Sequence, residues 1–182
     1  MLWLSMIILA AVTLQRLAEL VYARRNTARL LAQGGQEIAP EHYPLIVLLH
    51  GAWLAGLWLL APTRPINLFW LAIFALAQIM RLWVLATLKG RWTTRIIVLP
   101  GAPLVASGPY RFLHHPNYAV VVVEIATLPL AFGLPLFAAI FTVLNGIVLF
   151  IRIGAENAAL RSRASQLRIV NHANDTNEAA TL

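Results

Sequence analysis

Sorting the side chains into apolar and polar divides the chain into five apolar runs, at about 3–23, 43–61, 66–88, 117–132 and 134–153. Most are long enough, or nearly so, to cross a hydrocarbon layer of ~30 Å as helices. The fourth is short on its own. It meets the fifth at Phe132-Gly133-Leu134-Pro135, a turn without charge, and a helix that stops at Gly and restarts at Pro needs few connecting residues. The pattern predicts an all-α polytopic membrane protein with about five transmembrane helices, the fourth and fifth forming an antiparallel hairpin. No internal repeat interrupts it.

Composition agrees. Of 182 residues, 60% are hydrophobic and 12% charged, too few charges for the surface of a water-soluble domain of this size. The opening Met1-Leu2-Trp3-Leu4-Ser5 has no basic start and no small-residue cleavage site, so it reads as a retained first helix. The absence of cysteine excludes disulfides, thiolate metal sites and cysteine nucleophiles.

A net charge of +7 raises nucleic acid as a partner, but its placement points to lipid headgroups instead. Arg24, Arg25 and Arg29 follow the first segment; Lys89, Arg91, Arg95 and Arg111 follow the third; Arg161, Arg163 and Arg168 lie in the tail; the other connections carry only Arg64. By the positive-inside rule the N-terminus is outside, and the first loop, third loop and C-terminus are cytoplasmic.

The first loop, 23–42, starts as a basic continuation of the first helix and breaks at Gly34-Gly35. Its arginines suit an amphipathic helix at the interface. The third loop, 89–115, is too long for a simple connector. Its apolar run Ile96-Ile97-Val98-Leu99 and its turns at Pro100-Gly101 and Ser107-Gly108-Pro109 predict a folded cap. Residues 1–164 form the membrane domain, and the polar tail 165–182 is expected to be disordered.

Ionisable residues inside a membrane are costly and need a reason. Arg16, Glu19, His50, Arg81 and Arg152 all fall toward the predicted cytoplasmic side, and Glu124 lies deeper. A polar pocket opening on that side is their simplest common cause. Asn145, Arg152 and Glu156 share one helical face, as do Asn117 and Glu124. Counting outward from Gly133 sets Glu124 within reach of Asn145, a pairing expected to act as helix–helix glue. Arg152 comes level with His114-His115. Structural readings stand beside these: Arg152–Glu156 as an ordinary i,i+4 pair, Arg16–Glu19 as a helix-packing pair, His50 as a core histidine. Adjacent histidines diverge on a turn and no acidic cluster completes a site, so no metal is expected.

The densest polar passage runs from Val105 to Tyr118. It contains Gly108, Tyr110 and His115-Pro116-Asn117-Tyr118, and is answered across the hairpin by Arg152 and Glu156. Pro116 suits the first turn of a helix with His115 at its cap. This combination, within residues 90–160, resembles the isoprenylcysteine carboxyl methyltransferase family. The resemblance implies a methyl transfer from S-adenosylmethionine, with no soluble-type Gly-x-Gly-x-x-Gly nucleotide loop. It implies cofactor contacts at Leu104, Val105, Tyr110, His115, Pro116, Asn117, Tyr118 and Glu156, and an acceptor-facing, catalytic Arg152.

His114 stands where the family usually has Arg, Ala102 where eukaryotic members have His, and Asn157 where a second acid is frequent. These features are similar to a bacterial branch, in the cytoplasmic membrane, thought to methylate lipid-like phenols, quinols or pyrones. The expected activity is methylation of an oxygen, carboxylate or phenol/enol, on a bilayer-dissolved acceptor; for a phenol or enol, His114 or His115 are candidate bases. Two other readings remain: a membrane reductase of related fold using a nicotinamide cofactor, and a non-catalytic membrane subunit or transporter.

Overall fold

The computed structural model describes residues 2–179, with side chains described through Glu156 and at Ala158. The polar tail expected at 165–182 lies outside these described side chains. Five α-helices account for most of the chain: α1 (Leu2–Ala32), α2 (Tyr43–Leu60), α3 (Leu68–Leu88), α4 (Pro116–Ala131) and α5 (Pro135–Ala179). Helices α1, α2 and α3 and the Pro135–Glu156 part of α5 are long and apolar enough to span a bilayer, while α4 is shorter. Its 16 residues reach only about 24 Å at the usual helical rise. This is an integral membrane protein, and its exposed Leu59, Leu76, Ile79, Phe150 and Ile147 are what a lipid-facing surface requires.

Local sequence explains the helix ends. Asn67 caps α3, its side chain accepting from the N–H groups of Phe69 at 3.0 Å and Trp70 at 3.4 Å. Pro116 begins α4 with His115 at the cap, as expected. The hairpin turn is a Schellman motif. Gly133, at φ +65°, donates to Leu130 O, and Leu134 donates to Pro129 O, both at 3.0 Å. Pro129, inside the last turn of α4, supplies that carbonyl.

Two features depart from the sequence-based picture. The basic part of the first loop is no separate interfacial helix; α1 runs unbroken to Ala32 and ends at Gly34, φ +86°. Beyond it, β1 (Gln36–Ile38) pairs antiparallel with β2 (Ile96–Val98), Glu37 facing Ile97. This two-stranded sheet joins the first and third loops. Arg95 reinforces it, donating to both Glu37 oxygens at 2.9 Å and lying 4.4 Å over the Tyr43 ring.

The main core joins Leu9 and Val12 of α1, Trp53 and Leu57 of α2, Phe74 of α3, and Ile125 and Leu128 of α4. A smaller one packs Ala23, Val84 and Trp92 beneath the third loop. Between the main core and that loop, the bundle holds its buried polar groups and a cavity.

Candidate functional site

Four ionised side chains from three helices meet at the inner end of the cavity. Arg81 is 3% and Glu124 1% exposed, so both are withdrawn from bulk water. Arg81 Nε donates to Glu124 Oε1 at 2.7 Å, its Nη2 pairs with Glu124 Oε2, and its Nη1 donates to Glu19 Oε2 at 3.1 Å. Arg16 donates to Glu124 Oε2 at 2.8 Å and to Glu19 Oε2 at 2.9 Å. Two cations and two anions cancel, which is how ionised groups persist at membrane depth. Glu124 therefore does not pair with Asn145 as its height along the hairpin predicted. Asn145 is buried, with Nδ2 unpartnered, and faces the cavity instead.

That cavity has a volume of about 300 Å³ and lies among α1, α2, α3, α4 and α5. Its wall is mostly apolar (Leu17, Leu20, Ile46, Val47, Leu54 and Val121 among others), with polar contributions from Arg16, His50, Asn117, Tyr118, Asn145 and Arg152. Trp92, Thr93 and Thr94 of the third loop also line it. Asn26 holds that loop down, its Nδ2 donating to the carbonyls of Lys89 at 3.2 Å and Trp92 at 2.8 Å.

The start of α4 meets α5 at a chain of contacts. Arg152 Nε donates to Tyr118 Oη at 3.0 Å, and Tyr118 Oη donates to Glu156 Oε2 at 2.7 Å. Arg152 Nη2 donates to the Thr94 carbonyl at 2.6 Å. His115 stacks on Tyr118, ring centroids 5.4 Å apart, with its Nδ1 3.8 Å from Glu156 Oε2. Tyr110, in the short 3-10 turn before α4, is half-buried. Burial, with the nearby Glu156 carboxylate acting in the same direction, pushes its phenol up to about 12.

The residues singled out from sequence thus separate into groups. Tyr118, Arg152, Glu156 and His115 touch one another directly, and Tyr110 lies close enough to feel Glu156. Asn117 and Pro116 begin α4, Asn117 accepting from Trp92 Nε1 at 3.4 Å. Leu104 and Val105 lie in the extended part of the third loop, Leu104 well exposed; Arg91 donates to the neighbouring Pro103 carbonyl at 2.8 Å. Asn117, Tyr118 and Arg152 line the cavity, whereas His115, Pro116, Glu156, Tyr110, Leu104 and Val105 do not. Tyr118 and Arg152 are therefore a shared wall, with an apolar chamber on one side and a polar cluster on the other. Neither candidate base, His114 or His115, lines the chamber. Sequence reasoning missed the Thr94 carbonyl, which carries no side-chain signal, and the joint role of Arg81 and Glu124. Among the described residues no group of three or more His, Asp or Glu side chains is gathered in a metal-binding arrangement.

A helical membrane bundle whose internal chamber is closed by a polar hairpin and loop defines the class. The chain belongs to the isoprenylcysteine carboxyl methyltransferase family, whose model matches residues 70–162, and with it to the membrane methyltransferases. That span includes α4, the third loop and the spanning part of α5. The uncharacterized protein YpbQ of Bacillus subtilis (strain 168) is 38% identical over 167 residues, 88% of this chain and 97% of that protein. An uncharacterized protein of Haemophilus influenzae is 27% identical over 147 residues, 75% of this chain and 83% of its own. No solved structure matches the chain significantly.

Proposed function

We propose that this protein transfers a methyl group from S-adenosylmethionine to an oxygen of a hydrophobic acceptor dissolved in the bilayer. The observation that carries this reading is the shared wall: Tyr118 and Arg152 face the apolar chamber, and the same Tyr118 hydroxyl reaches Glu156 on the polar side. A two-substrate transfer needs such a boundary, with one reactant on each face of it.

The donor set on the polar side fits the cofactor. The Glu156 carboxylate accepts hydrogen bonds from a ribose or amino group, and the stacked His115 and Tyr118 rings offer a flat face to an adenine. Tyr110, Pro116, Asn117 and the backbone at Leu104 and Val105 border the same region in our reading. When bound, the cofactor supplies an electrophilic methyl on a cationic sulfur.

On the chamber side, Arg152 has Nε and Nη2 committed to Tyr118 and Thr94, and Nη1 makes no hydrogen bond among the described residues. A guanidinium stays protonated, so Arg152 acts as an orienter of acceptor oxygen, not as a base. Charge is neutralised as the methyl moves, so a chamber that excludes water favours the transfer over the same reaction in solution. The basic residues after α1 and α3 favour a site opening to the cytoplasm, and an acceptor enters from the lipid.

Calorimetric titration of detergent-purified protein with S-adenosylmethionine tests this. Wild type should bind in the micromolar range. Glu156→Ala should weaken binding roughly 10- to 100-fold, the scale of a lost charged hydrogen bond. Absence of binding by folded wild type would remove the cofactor assignment and favour the reductase or non-catalytic readings.

A further inference from the structure

The methyl-transfer reading leaves open how a neutral acceptor hydroxyl would lose its proton, and the chamber wall answers with a residue outside the polar cluster. Its lining side chains that ionise are Arg16, Glu19, Tyr43, His50, Arg81, Tyr118 and Arg152. The three arginines hold their protons at any working pH. Glu19 is occupied by Arg16, Arg81 and Gln15. Tyr118 is held between Arg152 and Glu156, and Tyr43 lies under Arg95.

His50 remains. Its Nδ1 is 2.9 Å from the Ile46 carbonyl one helical turn back. A carbonyl only accepts, so Nδ1 carries the hydrogen and Nε2 carries the lone pair. Nε2 has no hydrogen-bond partner among the described residues. Imidazole is also the one uncommitted lining group that offers a nitrogen lone pair able to take a proton and pass it on. Around it stand Arg16 and Glu19 of α1, Arg81 of α3, Glu124 of α4 and Arg152 of α5. The first four of these charges cancel within their own network.

Resting on the methyl-transfer reading, we propose that His50 is the general base of the reaction, taking the proton of a neutral acceptor hydroxyl. The acceptor O–H bond breaks and its proton passes to His50 Nε2. The oxygen forms a bond to the methyl carbon as the carbon–sulfur bond of the sulfonium donor breaks, its electron pair remaining on sulfur. The products are a methyl ether, a neutral thioether and an imidazolium, which returns its proton to water.

The test compares wild type with His50→Gln on two acceptors: a long-chain alkylphenol, neutral at pH 7, and its dinitro derivative, already ionised there. His50→Gln should keep S-adenosylmethionine binding by calorimetry. It should lose about 100-fold or more in transfer to the alkylphenol, the usual contribution of a general base, and change only a few-fold on the ionised acceptor. Its remaining rate on the alkylphenol should climb tenfold per pH unit, following the acceptor's own ionisation. Wild type should show a pH inflection with the alkylphenol that is missing with the ionised acceptor, a comparison that needs no variant to fold. Equal losses on both acceptors, an unchanged rate on the alkylphenol, identical wild-type pH profiles, or donor binding with transfer only to carboxylates would each overturn the proposal. A wild type that binds no donor would instead fell the methyltransferase reading, and this inference with it.

Discussion

Replacing Glu124 by Ala removes the carboxylate that two interior arginines share. The carboxylate accepts from Arg81 through both oxygens and from Arg16 through one. Without it, Arg16 and Arg81 share only Glu19, leaving one uncompensated positive charge in a region with almost no access to water. Removing one partner of a buried ion pair costs about 3–5 kcal/mol. For a chain of this length each kcal/mol moves the melting temperature about 2–4 °C, so Glu124→Ala should melt roughly 6–20 °C below wild type. Thermal unfolding in detergent micelles, followed by tryptophan fluorescence, reads this directly. Glu124→Gln, which keeps an accepting oxygen, should fall between the two. The double variant Arg81→Met/Glu124→Leu should recover most of the loss, because the burial cost of both ions disappears together. The reasoning fails if Glu124→Ala lies within about 1 kcal/mol of wild type, the size of an ordinary substitution, or if the double variant is as unstable as the sum of the singles.

Three further outcomes are expected. Gly108 has φ +57°, and a Cβ there would collide with the Thr87 hydroxyl; Gly108→Ala should cost at least about 1–2 kcal/mol and weaken donor binding by displacing Tyr110, measured by the same melt and calorimetry. Arg152→Lys keeps the charge but cannot reach Tyr118 and the Thr94 carbonyl with one planar fork; kcat should fall tenfold or more while donor binding changes less. Tyr110 titrates at about 12 in the fold against its ordinary 10, so the folded state holds the phenol proton more tightly than the unfolded chain does. Its contribution to stability is complete below pH 10 and is lost as pH rises toward 12; a Tyr110→Phe variant should show a shallower alkaline fall in stability and one fewer late-titrating tyrosinate by ultraviolet absorbance.

Much of the architecture was legible because membrane helices announce themselves by length and composition, and because Gly133 and Pro135 mark a turn whose chemistry admits few alternatives. The contact of Arg152 and Glu156 with the start of α4 was legible for the same reason: a hairpin with a known turn fixes heights on both arms. Height was also where that reasoning stopped. It put Glu124 level with Asn145, but height does not say which neighbouring helix a side chain faces, and Arg81 of α3 and Arg16 of α1 reached the carboxylate first. Sequence could have hinted at this, since two acids and two arginines at membrane depth sum to zero. The β1–β2 pair left no such trace. Three residues per strand are too few for an alternating pattern to stand out, and the third loop's apolar run marked a cap without naming its partner. His50 was visible as a buried histidine, but its access to the chamber depends on how α2 is turned.

The small sheet has a consequence for biogenesis. Its strands are separated by two complete membrane crossings, and the Arg95–Glu37 bridge that secures them spans 58 residues of chain. The Arg152–Thr94 contact that seats the same loop against α5 spans another 58. As the chain emerges from the ribosome, Gln36–Ile38 must therefore wait unpaired until α2 and α3 have inserted, and the loop above the chamber must wait again for the α4–α5 hairpin. Pairings of such long sequence separation form late and slowly. The chamber is thus sealed by α5, which is made after α1 to α4, and a chain truncated before Arg152 would carry most of the membrane domain with its polar end unfinished.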